Sequence, residues 1–178
     1  MNLKGKRIVI LAERQYEDLE LWYPKLRLEE AGAEVVIAGT GKAEYASKHG
    51  YPVRVDANVG DLPPADFAGV VVPGGWAPDY LRRDQKVTAF VAAMDAAGKL
   101  VAAICHGGSV LVSAGILRGR QMTSVTAIRD DLVNAGATWV DAETVVDRNL
   151  VSARRPDDLP AFLPAIIAVL AEEPNEEP

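Results

Sequence analysis

Short runs rich in Val, Ile and Ala alternate along the chain with segments in which apolar residues recur every three or four positions. The runs cover residues 7–12, 34–38, 69–72 and 100–104. Such runs predict buried strands, and the segments between them predict helices. Repeated strand–helix units favour a mostly parallel sheet covered by helices. We therefore predict an α/β fold with a mostly parallel central sheet.

The segment after the first run predicts an amphipathic helix. Leu19, Trp22, Tyr23 and Leu26 follow the i, i+3, i+4, i+7 spacing of one helix face, and Gly32 provides a C-terminal stop. We expect this apolar face to be buried against the sheet.

Two later segments predict further helices, and a short hairpin is expected through 51–55. One helix should bury Val87, Phe90, Val91 and Met94. The last helix should begin at Asp157 or Asp158, either of which can cap it. Its expected buried residues are Leu159, Phe162, Leu163, Ile166 and Leu170.

Length and charge limit the classes of function. With 178 residues the chain is predicted to form a single domain over 1–171, followed by an acidic, disordered tail at 172–178. A net charge of −6 argues against direct nucleic-acid binding. No apolar run approaches the roughly 20 residues needed to span a bilayer, and nothing resembles a signal peptide. We expect a soluble, cytoplasmic protein.

The sole cysteine, Cys105, lies between a predicted strand and a predicted helix. The sequence Ala103-Ile-Cys-His-Gly107 has small residues two positions before and after it, as the sharp turn of a nucleophile elbow requires. A helix N-terminus at this point is expected to lower the thiol pKa. The alternative is an inert core cysteine. The placement favours a catalytic nucleophile.

Other polar groups follow neighbouring strands. His106 is the expected proton acceptor, or else a histidine that is merely hydrogen-bonded at a helix start. The turn 73–79 offers backbone N–H groups for an oxyanion hole. Within it, Asp79 is a candidate to orient a histidine, or alternatively a helix N-cap.

A third cluster of acids, Glu17, Asp18 and Glu20, opens the first helix. Acids in a first turn usually complement the helix dipole, whereas one facing the sheet would be desolvated and could donate a proton to a thiolate. Periodicity does not decide which of the three faces inward. His49 is interpreted as a surface histidine. With two histidines and one cysteine, neither a metal site nor a cofactor is expected.

Taken together, segments spread over residues 7–170 resemble the PfpI-type intracellular proteases, within the superfamily that includes the parkinsonism-associated deglycase. The matching segments are Tyr16-Glu-Asp-Leu-Glu-Leu21 with Tyr23-Pro24, Lys48-His-Gly-Tyr51, Val72-Pro-Gly-Gly75 with Ala77-Pro78, Ala103-Ile-Cys-His-Gly107, Ser113-Ala-Gly-Ile-Leu-Arg-Gly119, Asp130-Asp131 with Asn134-Ala-Gly136, and Trp139-Val-Asp-Ala-Glu143.

The resemblance implies a flavodoxin-like three-layer sandwich in which Cys105 is the nucleophile, His106 stands beside it and Glu20 donates a hydrogen bond to the sulfur. It also implies an oxyanion hole built from the amides of Gly75 and His106. In the protease branch the acid of the triad comes from a neighbouring subunit, at the position of Asp79, so a homodimer or higher homo-oligomer is expected. The family has Glu there, and the shorter Asp79 weakens the case for proteolysis.

Three functions compete on this basis. The first is glyoxalase- or deglycase-like chemistry on small aldehydes or glycated groups through the Cys105 thiolate. The second is an intracellular peptidase with an intersubunit Cys–His–Asp triad. The third is a non-enzymatic, redox-sensing stress protein whose thiolate is oxidised. The corresponding partners are small aldehydes, glycated groups or peptides.

Overall fold

A seven-stranded sheet lies at the centre of the computed structural model, which describes residues 2–172. In chain order the strands are β1 (Arg7–Leu11), β2 (Glu34–Gly39), β3 (Glu44–Ala46), β4 (Pro52–Arg54), β5 (Ala57–Asn58), β6 (Gly69–Val72), β7 (Leu100–Ile104), β8 (Gln121–Met122), β9 (Thr138–Trp139), β10 (Thr144–Asp147) and β11 (Leu150–Ala153). The sheet order is β10-β11-β7-β6-β1-β2-β5. Within this seven-stranded sheet, as described over 2–172, only the β10–β11 pair is antiparallel. The predicted α/β class is confirmed.

Helices cover both sides of this sheet. They are α1 (Asp18–Glu30), α2 (Ala77–Leu81), α3 (Gln85–Ala96), α4 (Gly108–Ala114), α5 (Arg129–Asn134) and α6 (Leu159–Ala171). Helices α1 and α6 pack together, and α3 packs with α4. The predicted hairpin is present as the antiparallel pair β3–β4. Within 2–172 no helix is both long and apolar enough to cross a membrane.

Helix α1 does not bury the face that the sequence predicts. Its buried residues are Glu20, Leu21, Pro24 and Leu28. Three of the four residues of the predicted apolar face are exposed, namely Leu19, Tyr23 and Leu26, whereas Trp22 is partly buried against the core. The apolar spacing therefore predicted the wrong buried face for α1, because the face that packs inward carries an acidic residue, Glu20.

The predicted buried residues of α3 and α6 are buried as expected. The N-terminus of α6 differs from the prediction. Asp158 occupies the N-cap position but makes no capping hydrogen bond there, because its carboxylate accepts hydrogen bonds from the Arg154 side chain, at 2.9 Å from Nε. The predicted tail, apart from Glu172, lies outside the described residues.

The strand order indicates at which end of the sheet a ligand would bind. The chain runs from β1 to β2 on one side, then returns to β6 and β7 on the other side of β1. The carboxyl ends of β1 and β6 therefore border the point where the strand order reverses, which is where open α/β sheets bind ligands. The loops after β1, β6 and β7 meet at this edge.

Candidate active site

Cys105 lies on a strained turn between β7 and α4. Its φ is +59°, one of three positive values at non-glycine residues in the described chain. A 3₁₀ turn over Cys105–Gly107 leads into α4. Gly107 has no side chain because a Cβ there would collide with the carbonyl oxygen of Val72. Strained backbone of this kind is found at functional sites, and it leaves the thiol partly exposed. The predicted elbow is present.

Glu20 is the acid of the first helix that faces this turn. It is fully buried, and its Oε2 accepts a hydrogen bond of 2.7 Å from the Gly74 N–H. Burial, followed by the charge of Glu17, raises its pKa to about 8. At neutral pH the carboxyl is therefore protonated. Glu17 caps α1 instead, accepting a 3.0 Å hydrogen bond from the Glu20 N–H.

The thiol of Cys105 is the neighbour of this carboxyl on its other side. Within 2–172, Oε1 of Glu20 has no hydrogen-bond partner of good geometry, yet the Glu20 and Cys105 side chains are close enough to affect each other's pKa. A protonated Glu20 can direct its O–H from Oε1 to a sulfur anion. This is the donor role that the family resemblance implies.

Gly74 makes the contact between acid and thiol possible. A Cβ at this position would lie 2.5 Å from Oε2 of Glu20, 2.7 Å from Cβ of Cys105 and 3.1 Å from the backbone nitrogen of His106. Those distances are shorter than van der Waals contact. The second glycine of the turn, Gly75, has φ +73°, and its backbone lies so close to that of residues 15–17 that no Cβ would fit.

Two backbone N–H groups, from Gly75 and His106, are directed at the sulfur of Cys105. These are the amides that the resemblance assigns to an oxyanion hole. Amides that face the sulfur stabilise negative charge on it. The loops after β6 and β7 thus supply one amide each.

The thiol pKa differs from the sequence prediction. Burial, followed by the charge of Glu20, raises the pKa of Cys105 to about 12, even though the amides of His106 and Gly75 lower it. The expected net lowering of the thiol pKa is therefore wrong, although the amide of His106 at the start of the turn acts in the expected direction. Burial outweighs the amides, and the chain leaves the elbow as a 3₁₀ turn before the seven-residue α4 begins. The contribution from Glu20 disappears when that carboxyl is protonated.

The imidazole of His106 lies beside the thiol. Its Nδ1 lies 3.4 Å from the sulfur of Cys105. Burial lowers the pKa of His106, with a further lowering by the charge of Lys48 and an opposing effect from Asp79. The imidazole is therefore neutral at pH 7 and can accept the thiol proton.

Of the predicted catalytic residues, Asp79 is the one that the fold does not bring into contact with the others. Its side chain is 60% exposed, and its nearest ionic partner within 2–172 is Arg83, at 3.7 Å. It makes no hydrogen bond to His106 in its own chain. It is not an N-cap either, since Trp76 occupies that position before α2.

The loop 47–51 is fixed next to the site by α1. Asp18 accepts hydrogen bonds of 2.7 Å from Ser47 Oγ and shares one of 2.7 Å with His49 Nδ1. Although burial raises the pKa of Asp18, these hydrogen bonds bring it below its ordinary value. Glu17, Asp18 and His49 offer possible metal-ligand atoms within 4.8 Å of one another. The hydrogen bonds that connect α1 to the loop 47–51 through Asp18 account for this proximity.

Two side chains at the site had been given no role from the sequence. Lys48 acts electrostatically on both Glu20 and His106, and Trp76 lies against His106, with ring centroids 5.6 Å apart. Trp76 was indicated only by its place in a glycine-containing loop after a strand, and Lys48 also by its place in a segment that resembles the family.

Comparison of the chain with known proteins shows its family. Residues 6–169 match the model of the DJ-1/PfpI family. The chain belongs to this family. A deglycase of Pyrococcus abyssi is 46% identical over 92% of the chain and 99% of its own length. Deglycase PfpI of Pyrococcus furiosus is 45% identical over the same shares.

A solved structure of the family has the same fold. It is a two-domain protein of Anabaena variabilis with DJ-1/ThiJ/PfpI-like and ferritin-like domains, 39% identical, with a TM-score of 0.91. The match covers 97% of the present chain and 52% of that one. The chain thus spans about half of that two-domain protein and nearly all of its DJ-1/PfpI relatives named above.

Proposed function

We propose that this protein is an enzyme that converts reactive 2-oxoaldehydes, and their adducts on side chains, through a covalent intermediate on Cys105. The observation that carries the proposal is the environment of the sulfur. A neutral imidazole lies 3.4 Å away on one side, and a buried carboxyl with its pKa raised to about 8 lies on the other. A nucleophile between a base and a protonated acid suits proton transfers at a small carbonyl substrate.

The chemistry balances without an added oxidant or reductant. With methylglyoxal, the sulfur of Cys105 bonds to the aldehyde carbon while the thiol proton moves through His106 to the new hydroxyl oxygen, giving a hemithioacetal. Transfer of the C1 hydrogen to C2, together with passage of the C1 hydroxyl proton to the C2 oxygen, then yields a thioester of lactate. Water hydrolyses this thioester and regenerates the thiol. The sum is methylglyoxal plus water to lactate.

Each residue has a defined part in this sequence. We assign the amides of Gly75 and His106, which face the sulfur of Cys105, the role of holding the developing oxyanion. Glu20 donates a hydrogen bond to the leaving thiolate at the last step. The class of reaction, though not the part of each residue, is supported by the relatives named deglycase.

The peptidase alternative depends on a contact that one chain does not supply. An acyl-enzyme mechanism on peptides requires an acid to orient His106, and Asp79 of the same chain is turned to solvent and to Arg83 instead. The aldehyde reaction requires no such acid. For this reason we place it first.

Product analysis tests the proposal. Wild-type protein is incubated separately with methylglyoxal and with a mixture of unstructured peptides, and the rates of a Cys105→Ser preparation are subtracted. We expect lactate, measured by proton NMR, at several times the background rate, without new peptide N-termini. New N-termini without lactate would instead establish the peptidase, and the absence of both products would overturn both enzymatic assignments.

We also propose that the chain works as a homodimer or higher homo-oligomer. Two observations support this: the exposed Asp79, and the outward apolar surface of α1 formed by Leu19, Tyr23 and Leu26. Exposed apolar patches of this kind favour association. Light scattering should give at least twice the chain mass for the wild type, and the mass of one chain for a Leu19→Asp, Leu26→Asp double variant. A wild type that is monomeric at micromolar concentration would contradict the proposal.

A further inference from the structure

One carboxylate holds both neighbours of Lys48. Asp18, in the first turn of α1, accepts a hydrogen bond of 2.7 Å from Ser47 Oγ and another of 2.7 Å from His49 Nδ1. Although burial raises the pKa of Asp18, these hydrogen bonds bring it below its ordinary value, so at neutral pH the side chain is an anion that only accepts. Lys48 lies between the two donors and is therefore held on both sides.

The loop 47–51 is closed around the same serine. Ser47 is buried, and its Oγ also accepts from the backbone N–H groups of His49, at 3.1 Å, and Tyr51, at 3.0 Å. A hydroxyl that donates to a carboxylate and accepts from two amides has used its whole hydrogen-bonding capacity. The loop therefore has a defined conformation on both sides of Lys48.

The backbone connects this loop to the active site. The Lys48 N–H donates to the carbonyl oxygen of Tyr16 at 3.0 Å. Tyr16 forms an antiparallel bridge with Gly75, whose amide faces the sulfur of Cys105. The loop after β1 thus lies between the loop of Lys48 and the turn that supplies the Gly75 amide. A continuous hydrogen-bonded path runs from Lys48 to the thiol.

The ammonium group of Lys48 acts on two groups of the proposed reaction. Burial lowers the pKa of His106, the charge of Asp79 opposes this, and the charge of Lys48 lowers it further. Lys48 also acts against the raised pKa of Glu20, whose main cause is burial. Within 2–172 the ammonium forms no ion pair. A positive charge near the thiol favours a neutral imidazole, and it stabilises an alkoxide more than a neutral carbonyl.

We propose that Asp18 is a positioning residue of the active site, which holds the ammonium of Lys48 beside the reacting groups through Ser47 and His49. The inference rests on the proposed function, to which it adds an electrostatic group and the side chain that fixes this group. An acid in a first turn would otherwise only complement the helix dipole. Without Asp18 the loop loses its connection to α1, and the lysine charge is no longer kept at the site.

Nuclear magnetic resonance of the imidazole rings tests this without a substrate. The chain contains two histidines, so two ring signals titrate, and a His106→Asn preparation identifies the signal of His49. We expect the pKa of His106 to rise in Lys48→Gln, because a positive charge is lost. It should rise likewise in Asp18→Ala, because the same charge is released. Direct loss of the negative charge of Asp18 would shift it in the opposite direction.

A double variant shows whether Asp18 acts through the lysine. If it does, Asp18→Ala adds no further shift in the Lys48→Gln background. Asp18→Asn keeps an oxygen that accepts from Ser47 and an amide that can bond to His49, so it should stay close to wild type. Asp130→Ala, which removes an exposed acid from the first turn of α5, is the matched control and should leave the titration of both histidines unchanged.

Turnover of methylglyoxal gives a second measurement. We expect kcat/KM to fall about tenfold in Lys48→Gln, mainly through kcat, because the ammonium acts on charge that develops in the transition state. Asp18→Ala should fall by a similar factor, and the double variant should fall no further. The acidic limb of the kcat/KM profile should move to higher pH in all three, since it reports protonation of His106.

Two results would overturn the inference. The first is an unchanged pKa of His106 in Lys48→Gln or in Asp18→Ala, in protein with the circular dichroism of wild type. The second is additive shifts in the double variant, which would mean that Asp18 acts independently of Lys48. If Asp18→Ala does not fold, Ser47→Ala takes its place, and the same criteria apply because it removes one of the two donors.

Failure of the proposed function gives a different pattern. In that case the wild type forms no lactate from methylglyoxal, and neither do the variants. The histidine titrations require no turnover, so they still decide whether Asp18 holds the charge of Lys48 at the thiol.

Discussion

Cys105→Ser is expected to lower kcat/KM for methylglyoxal by about 1000-fold or more, which corresponds to roughly 4 kcal/mol of lost transition-state stabilisation. The replacement keeps the size and the hydrogen-bonding pattern of the side chain but makes its proton far harder to remove. His106, whose pKa is already lowered by burial, is too weak a base to activate a serine hydroxyl. Steady-state lactate formation at pH 7.5 measures the effect.

The fold should tolerate this change, so loss of activity would report on chemistry. The elbow is maintained by Gly107 and by the strand β7, and neither contact involves the sulfur. We expect the free energy of unfolding, measured in urea, to change by less than about 1 kcal/mol. Cys105→Ala serves as a second variant that cannot act as a nucleophile. Turnover within twofold of wild type in either variant would exclude covalent catalysis at this residue.

The fold was largely accessible from the sequence because its strands have an unambiguous pattern. Runs such as 69–72 and 100–104 are buried on both faces, and this composition is typical of strands between two layers of helices. The order of the strands in the sheet was not accessible, since it depends on contacts between segments far apart in the chain. The sequence predicts helix α1 at the right place in the chain but predicts the wrong buried face, because its inward face carries Glu20 in place of an apolar residue.

The sequence predicts those parts of the site that lie within a single loop. Cys105 and its elbow follow from small residues at fixed spacing, and the positive φ agrees with that prediction. The choice of Glu20 among three acids required the resemblance to a family, because it depends on the direction in which the helix faces. The raised thiol pKa follows from burial beside that same carboxyl. This is a relation between a helix residue and a turn residue 85 positions apart in sequence, which no local pattern contains.

Glu20→Gln is expected to change how stability depends on pH. The pKa of Glu20 rises from 4.5 to about 8 in the folded protein. Below pH 4.5 both folded and unfolded chains hold this proton, so burial of the neutral acid is without penalty. As the pH rises, the unfolded chain ionises while the folded chain retains the proton, and stability is lost until about pH 8. The shift of about 3.5 pH units, at about 1.4 kcal/mol each, amounts to roughly 5 kcal/mol.

Glutamine does not titrate, so the variant should escape this loss. The free energy of unfolding of Glu20→Gln, relative to wild type, should increase by several kcal/mol between pH 5 and pH 8 in urea titrations. Cys105→Ala is the control: it keeps the buried carboxyl and should keep the wild-type decline, because burial is the first cause of the shift. Parallel stability curves for wild type and Glu20→Gln would show that the carboxyl is ionised in the folded protein at neutral pH. It could then donate no hydrogen bond to the thiolate, and the acid of the proposed mechanism would have to be sought elsewhere.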